Sequence, residues 1–301
     1  MKTKNLDLEN IIFTTLNTVF LVILAAAMVY PLLNTLAVSL NDGMDTVRGG
    51  IYLWPRIFSL QNFRVVFHMD TIYTAFFVSV GKTIVIVATN LFFTSMLAYT
   101  LSRREYIFNK PITVIFVLTM YFNAGLIPNY MLIKNLNLLG TFTVYWLPNV
   151  ISAFNLIVIR TYIKTIPESL IESAKIDGAG DFRVFMQIIM PLCVPTLATI
   201  ALFVAVGSWN SWFDTFLYNS SKQNLSTLQY ELQKLLASTL SAGGAQGGGA
   251  NSAAQSGASN ATTPQSIRAA ITIVAAVPIL IVYPFLQKYF VSGLTIGGVK
   301  E

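Results

Sequence analysis

The sequence predicts an all-α integral membrane protein with six transmembrane helices. The chain is 54% hydrophobic and only 11% charged, with a mean hydropathy of +0.64, whereas soluble domains carry roughly 25% charged residues. A helix needs about 20 apolar residues to cross the membrane core, and six runs are long enough: about 11–38, 73–101, 111–133, 140–162, 189–217 and 267–290. The runs lack the alternating pattern of barrel strands. We therefore expect one transmembrane domain over residues 1–301.

The first apolar run is predicted to be a retained span. It follows Lys2 and Lys4, and it contains three consecutive alanines, as some signal peptides do. However, it continues through Pro31 to Leu40, well beyond the short apolar core of a cleavable signal. Cys193 also lies in an apolar run and has no second cysteine to pair with, so we expect it to be inert packing.

The distribution of lysine and arginine predicts the orientation. With a cytoplasmic N-terminus, eleven of the nineteen basic residues fall in inner segments, seven in outer segments, and Lys82 within a span. We therefore expect a bacterial plasma-membrane protein with both termini in the cytoplasm. Inner loops are ordinarily basic, so the formal charge of +6 requires no nucleic-acid partner.

Two predicted outer loops differ in composition. Residues 237–265 are small, polar and glycine-rich, which predicts a flexible loop without a core of its own. This loop is either a surface insertion without chemistry or a contact for an extracellular partner, and both interpretations stay open. The loop over residues 41–70 contains Trp54 and Pro55, and we expect it to anchor at the membrane interface.

A charged segment separates the fourth and fifth apolar runs. Thr165 is placed to cap a helix, with Glu168 completing a capping box and Pro167 in the first turn. The pattern predicts an amphipathic helix from about Ile166 to Asp177.

The end of this helix is predicted from two glycines. Gly178 and Gly180 break the helix, and Asp181 is placed to cap the next one. Ile166, Leu170 and Ala174 fall on its apolar face. Amphipathicity alone is equally typical of a membrane-surface helix or a solvated loop.

The spacing within residues 165–191, the EAA segment, resembles the EAA signature of ABC-importer permeases. The matching positions are Glu172-Ser173-Ala174, Asp177-Gly178-Ala179, Ile188 and Met190-Pro191, with Ser173 and Met190 departing from the usual residues. Further matches are Tyr30-Pro-Leu-Leu-Asn34, Trp209-Asn210 and the stretch from Ser292 to Lys300. These resemble the second permease subunit of maltose-type carbohydrate importers over nearly the whole chain, although Glu301 stands where glycine is common.

The resemblance implies a type I ABC-importer permease fold with a cytoplasmic coupling helix that docks on an ATPase. The positions that would carry ATPase coupling are Glu168, Glu172, Ser173, Ala174, Asp177, Gly178 and Ala179. The implied partners are a homologous second permease, two copies of a cytoplasmic ATPase, an extracytoplasmic solute-binding protein and a carbohydrate, within a lipid bilayer. ATP and Mg would be bound by the ATPase, with no cofactor in this chain. The resemblance is nearest to importers of oligosaccharides from complex glycans, including acidic ones.

A sugar pathway needs polar groups within the spans, because a hydrated sugar loses hydrogen bonds in an apolar wall. Gly207, Asn210 and Asp214 recur at helical spacing and are predicted to share a face, while Trp209 and Trp212 are suited to sugar stacking. The candidates are Lys82, Asn123, Asn155, Trp209, Asn210, Trp212 and Asp214, with Asn129, Asn149 and Ser152 as further lining residues. Interface anchoring or helix packing is an alternative for the aromatic residues, and hydrogen bonding between helices explains the asparagines of spans three and four and Ser152 about as well. Asp214 fits these alternatives less well, because a carboxylate in or near a span is costly and usually faces a cavity or a partner.

Lys82 lies in the sequence VGKT, which invites comparison with a phosphate-binding loop. Phe76 stands where that motif needs glycine, so the sequence argues against nucleotide binding. Lys82 either extends outward or points into the pathway toward an acidic sugar. His68 has no neighbouring ligand or nucleophile, so we expect no metal site and no catalytic site. The alternatives to an ABC permease are an ion-coupled secondary transporter and a membrane scaffold.

Overall fold

The computed structural model describes residues 8–244 and 262–298, and over these residues the regular structure is helical apart from one isolated bridge between Asn41 and Phe58. The predicted all-α class is confirmed. In chain order the helices are α1 Leu8–Ser39, α2 Gly43–Thr46, α3 Gln61–Phe67, α4 Asp70–Ser102, α5 Asn109–Tyr121, α6 Leu126–Asn135, α7 Thr143–Trp146, α8 Ala153–Ile163, α9 Glu168–Ile176, α10 Asp181–Val184, α11 Met190–Leu192, α12 Val194–Asn210, α13 Phe213–Tyr218, α14 Leu228–Gly244 and α15 Pro264–Gly298.

Three single helices, in α1, α4 and α15, are long and apolar enough to cross a membrane. Three bent pairs have the same property when each pair is taken together. Counting each pair as one span gives six spans over the described residues, as the sequence predicts.

The bent pairs differ from the continuous helices expected at 111–133, 140–162 and 189–217. The bend is 118° between α5 and α6, 47° between the α7 region and α8, and 79° before α12. Gly125 adopts a φ of +91° at the first bend, a conformation that favours glycine. At the third bend, Pro191 and Pro195 lack the N–H groups that would continue the helical hydrogen bonds.

The chain forms two compact units. One comprises the described residues of Met1–Met69 and Lys234–Ala276, and the other those of Asp70–Gln233 and Val277–Glu301. In the second unit, α4 packs against α8 and α12. The buried side chains there include Leu101, Ile159, Phe185, Cys193 and Ile200, so the placement of Cys193 fits the expected packing role.

In the first unit, a buried asparagine organises the loop between α1 and α3. The Asn41 amide donates to the Asp45 carboxylate and the Thr46 hydroxyl, each at 3.1 Å. Its oxygen accepts from the backbone N–H groups of Arg56 and Ile57. The loop expected to anchor at the interface is therefore internally ordered, with the Trp54 side chain 84% exposed.

The glycine-rich loop predicted at 237–265 begins later than expected. Residues 237–244 continue α14, and Pro264 already begins α15. Leucine and alanine at 235–240 are good helix formers, which extends the helix into the region. The remaining stretch, 245–261, lies outside the described residues.

We predict that Asn41→Ala loosens this loop. The change leaves the backbone N–H groups of Arg56 and Ile57 without their acceptor, and each such loss costs about 1–3 kcal/mol. It also removes one donor from the buried Asp45 carboxylate, which keeps its ion pair with Arg56. Limited trypsin digestion of the purified protein should then cleave faster after Arg48 and Arg56. Asn224→Ala, which truncates an exposed asparagine elsewhere, is the matched control. Equal cleavage rates in both variants would contradict the assigned role.

Candidate functional site

A polar cavity of about 390 Å³ lies in the second unit, beside the middle of α4. It is bounded by α4, by the bend before α8, by α12 and by the residues after α12. The lining residues are Lys82, Ile86, Asn90, Asn149, Ile151, Ser152, Asn155, Val204, Gly207, Ser208, Ser211 and Asp214. A cavity with this many amide and hydroxyl groups among apolar spans is a candidate binding site.

A charged pair lies at one end of the cavity. The Nζ atom of Lys82 is 3.6 Å from Oδ2 of Asp214, and it donates a hydrogen bond of 3.1 Å to the carbonyl oxygen of Ser211. The Ser211 hydroxyl donates to the same Asp214 oxygen at 2.5 Å. Lys82 also lies 4.9 Å from the centre of the Tyr145 ring, within the range of a cation–π contact. The lysine is thus paired inside the unit and does not extend outward.

Amide groups form a network along another wall of the cavity. The Asn90 amide donates to the carbonyl of Asn149 at 2.7 Å, and the Asn155 amide donates to the Asn90 side-chain oxygen at 3.0 Å. Ser152 accepts from the backbone N–H of Asn155 and caps α8. These bonds hold the bend between α7 and α8 against α4.

The structure brings together five of the predicted pathway and lining residues, namely Lys82, Asn149, Ser152, Asn155 and Asp214. Asn123 lies at the bend after α5, where its side chain accepts from the N–H of Gly125. Asn210 accepts from Gln229 at 3.4 Å, away from the cavity lining.

The two predicted tryptophans also lie outside this lining. Trp212 contacts the rings of Phe213 and Phe216. Trp209 contacts Phe76 and borders a separate apolar cavity of about 280 Å³ between α4, α12 and residues 278–282 of α15.

The predicted shared face of Gly207, Asn210 and Asp214 does not form. Helix α12 ends at Asn210, and Ser211 is extended, with a ψ of 113°. The break turns Asp214 toward Lys82 while Asn210 stays outside the cavity. The periodicity argument assumed a continuous helix, so it could not place residues beyond the break.

Sequence analysis did not single out Asn90, Ser208 or Ser211. Asn90 follows Lys82 at a spacing of eight residues, with Ile86 between them, and all three share one face of α4. The helical spacing from Lys82 could therefore have predicted that Asn90 lines the same cavity. Ser211 was not predictable, because its carbonyl became available to Lys82 only through the helix break.

The EAA segment forms the predicted helix–turn–helix, but its two helices begin without the predicted capping side chains. Helix α9 begins at Glu168 after Pro167, and no side chain caps it. The expected capping box is wrong, because the Thr165 hydroxyl donates backward to the carbonyl of Tyr162. Asp181 likewise begins α10 without capping it.

Gly178 ends α9 as predicted, with a φ of +81°. The apolar face of α9 is correct only in part. Ile171 is the buried anchor and belongs to the core of the second unit, against which Ile166 and Ala174 pack. Leu170, expected on this face, is 45% exposed.

Lys175 connects α9 to its surroundings. Its Nζ atom is 3.4 Å from Asp181 and 3.6 Å from Glu105, which lies between α4 and α5. The Asp181 carboxylate, together with Glu105, raises the pKa of Lys175. The lysine therefore stays charged at neutral pH and joins three parts of the chain.

Most of the predicted coupling residues are accessible. Glu168, Glu172, Ser173, Asp177 and Gly178 are exposed, whereas Ala174 and Ala179 are partly buried against the core. The side chain of Ile176 is 86% exposed on the same helix. An exposed surface with acidic groups beside an apolar side chain fits docking of another protein.

Comparison with known families and proteins bears on this arrangement. A family model described as the binding-protein-dependent transport system inner membrane component matches residues 107–213, which include the EAA segment. The polygalacturonan/rhamnogalacturonan transport system permease protein YtcP of Bacillus subtilis is 37% identical, over 97% of this chain and 100% of its own length.

Other relatives are named for different substrates. The arabinooligosaccharides transport system permease protein AraQ of Halalkalibacterium halodurans is 30% identical, over 96% of this chain and 97% of its own. Among solved structures, a chain of a bacterial ABC transporter involved in the import of the acidic polysaccharide alginate matches with a TM-score of 0.84. It is 28% identical, and the match covers 96% of this chain and 99% of that chain.

We predict that Gly178→Ala loosens the turn after α9. An L-residue in the left-handed conformation costs about 1–2 kcal/mol, which should raise amide hydrogen exchange in residues 168–181 by roughly 5- to 30-fold. Gly180→Ala is the matched control, because Gly180 has a φ of −69° and the same open space for a Cβ atom. A similar rise in both variants would show that the backbone conformation at Gly178 is not the cause.

Proposed function

Because this chain belongs to the family of binding-protein-dependent transport system inner membrane components, we propose that it is a permease subunit of an ATP-driven oligosaccharide importer in a bacterial plasma membrane. It would form half of the translocation pathway and itself carry out no catalysis. The observation that carries the proposal is the EAA segment, which presents an exposed acidic helix anchored by Ile171 in the hydrophobic core of the second unit. Relatives named for polygalacturonan/rhamnogalacturonan and for arabinooligosaccharides, together with the solved alginate transporter, support a sugar as the solute.

The proposed partners follow from this assignment. A homologous second permease would complete the pathway, and two copies of an ATPase would bind ATP and Mg on the cytoplasmic side. A solute-binding protein would deliver the sugar from outside. Both termini and the EAA segment would then be cytoplasmic, in keeping with the distribution of basic residues.

Coupling would run through α9. Glu168 and Glu172 lie four residues apart on the exposed surface and repel each other mildly, so a cationic groove on the ATPase would relieve that repulsion. Ile176 would add an apolar contact. Movement of α9 would reach the spans through Ile171, which belongs to the same buried cluster as residues of α4 and α8, and through the ion pairs of Lys175.

The polar cavity is the proposed section of the sugar path within this chain. Its amides and hydroxyls offer hydrogen bonds to replace those that a sugar loses on leaving water. Alternating access would open it to each side in turn, while nothing covalent happens to the solute.

Affinity purification of the chain in mild detergent tests the assembly. We expect a second permease and an ATPase to be recovered with it in stoichiometric amounts. Hydrolysis of ATP by this complex should rise when the sugar-loaded binding protein is added. A chain that purifies without an ATPase, yet transports solute in response to an ion gradient, would favour a secondary transporter instead.

We predict that Glu172→Lys uncouples transport. Reversing the charge places a cation against the proposed cationic groove, at a cost of several kcal/mol, so uptake should fall more than tenfold and less ATPase should be recovered. Gln223→Lys places the same cationic side chain on an exposed turn outside the EAA segment, and we expect near-normal uptake. Normal uptake by Glu172→Lys would contradict the coupling role.

A further inference from the structure

The two members of the charged pair differ in accessibility. The Lys82 side chain is 1% exposed, whereas that of Asp214 is 34% exposed. Both residues line the polar cavity. The carboxylate is therefore the more accessible of the two charged groups, and the ammonium group is buried beside it.

Interactions inside the unit already occupy the lysine. An ammonium group has three N–H donors, and Lys82 directs its charge to the Ser211 carbonyl, the Asp214 carboxylate and the Tyr145 ring. To bind a sugar carboxylate, Lys82 would have to exchange one of these partners. The exchange would leave a buried group unpaired, which is costly.

The carboxylate retains capacity for further hydrogen bonds. An ionised carboxylate accepts about four, and the Ser211 hydroxyl and Lys82 both approach the same oxygen, Oδ2. Among the described residues, no hydrogen bond reaches the other oxygen, Oδ1, so its acceptor capacity is left for donors from a solute. The hydroxyl groups of a sugar are such donors, whereas a second carboxylate at this position would be repelled.

The rest of the lining is neutral. Asn90, Asn149, Asn155, Ser152 and Ser208 contribute amide and hydroxyl groups. With Lys82 and Asp214 compensating each other, no charge in this lining is left over to balance a solute anion.

From this arrangement, which rests on the proposed function, we propose that Asp214 is the charged group that binds the solute, through sugar hydroxyls, and that Lys82 is a positioning residue behind it. The cavity therefore takes a neutral, hydroxyl-rich sugar unit. In an acidic oligosaccharide, the carboxylates are held away from Asp214. The idea that Lys82 itself binds an acidic sugar does not fit this geometry.

The charge that the cavity presents can be measured without knowing the sugar. Gly207 lines the cavity, and a Cβ atom there would meet nothing within 4 Å, so Gly207→Cys places a thiol in the cavity. Replacing the buried Cys193 with alanine removes the native thiol. Membranes that contain the assembled transporter are treated with methanethiosulfonates of equal size, one carrying a trimethylammonium group and one a sulfonate. The ratio of the cationic to the anionic reaction rate at the introduced thiol is compared with the same ratio for 2-mercaptoethanol, a free thiol in solution.

For the thiol of Gly207→Cys, we expect the ratio of the cationic to the anionic reaction rate to be about threefold or more above the same ratio for 2-mercaptoethanol. The reason is that Asp214 faces the cavity. Asp214→Asn should reverse the preference, since Lys82 is then uncompensated, and Lys82→Met should strengthen it. If Asp214→Asn alone does not fold, the double variant Lys82→Met with Asp214→Asn should return the ratio to that of the free thiol. A preference for the anionic reagent in the parent, or no response to either change, would overturn the proposal.

Ile151→Cys provides a second position in the same lining, where the native side chain is 41% exposed. It should report the same preference and the same response to Asp214→Asn. Failure of both thiols to react would also overturn the proposal, because the cavity would then not admit a charged aqueous molecule. Uptake and ATPase recovery are measured separately, so failure of the charge assignment is distinguishable from failure of the transport assignment.

Discussion

A helix that breaks inside a membrane leaves backbone groups without partners, and lipid supplies none. In the second unit, polar side chains of the unbroken helix α4 meet this need. Lys82 donates to the Ser211 carbonyl after α12, Asn90 to the Asn149 carbonyl, and Thr94 to the Val150 carbonyl at 3.4 Å. The Ser79 hydroxyl accepts from the N–H of Leu228 at 2.8 Å. The break after α12 and the bend before α8 are thus stabilised by side chains of α4.

The same interactions create the polar cavity. Side chains that stabilise a break must approach it, and the break itself leaves space between the helices. Asn90 illustrates both roles, because it satisfies a carbonyl at the bend before α8 and also borders the cavity. A polar cavity between apolar helices is thus a consequence of how the bends are stabilised.

The EAA segment joins an accessible surface to a rigid interior. Ile171 is buried with residues of α4 and α8, while Glu172, the next residue, is exposed. Beyond Gly178, residues Phe185–Ile189 form a π-helix, a feature often found at functional positions. The exposed surface of α9 and its buried anchor are therefore adjacent in sequence, without a long connection between them.

The sequence by itself determined the all-α class, the apolar runs and the helix–turn–helix of the EAA segment. Apolar length and the glycine at position 178 are local properties, so they can be read without knowing what lies nearby. Only the tertiary structure decided where the spans bend and which polar residues meet. Asp214 faces Lys82 because α12 ends at Asn210, and the lysine is stabilised there by a carbonyl 129 residues away in sequence. Helical periodicity carries no information across such a break, because the pairing depends on contacts between distant segments.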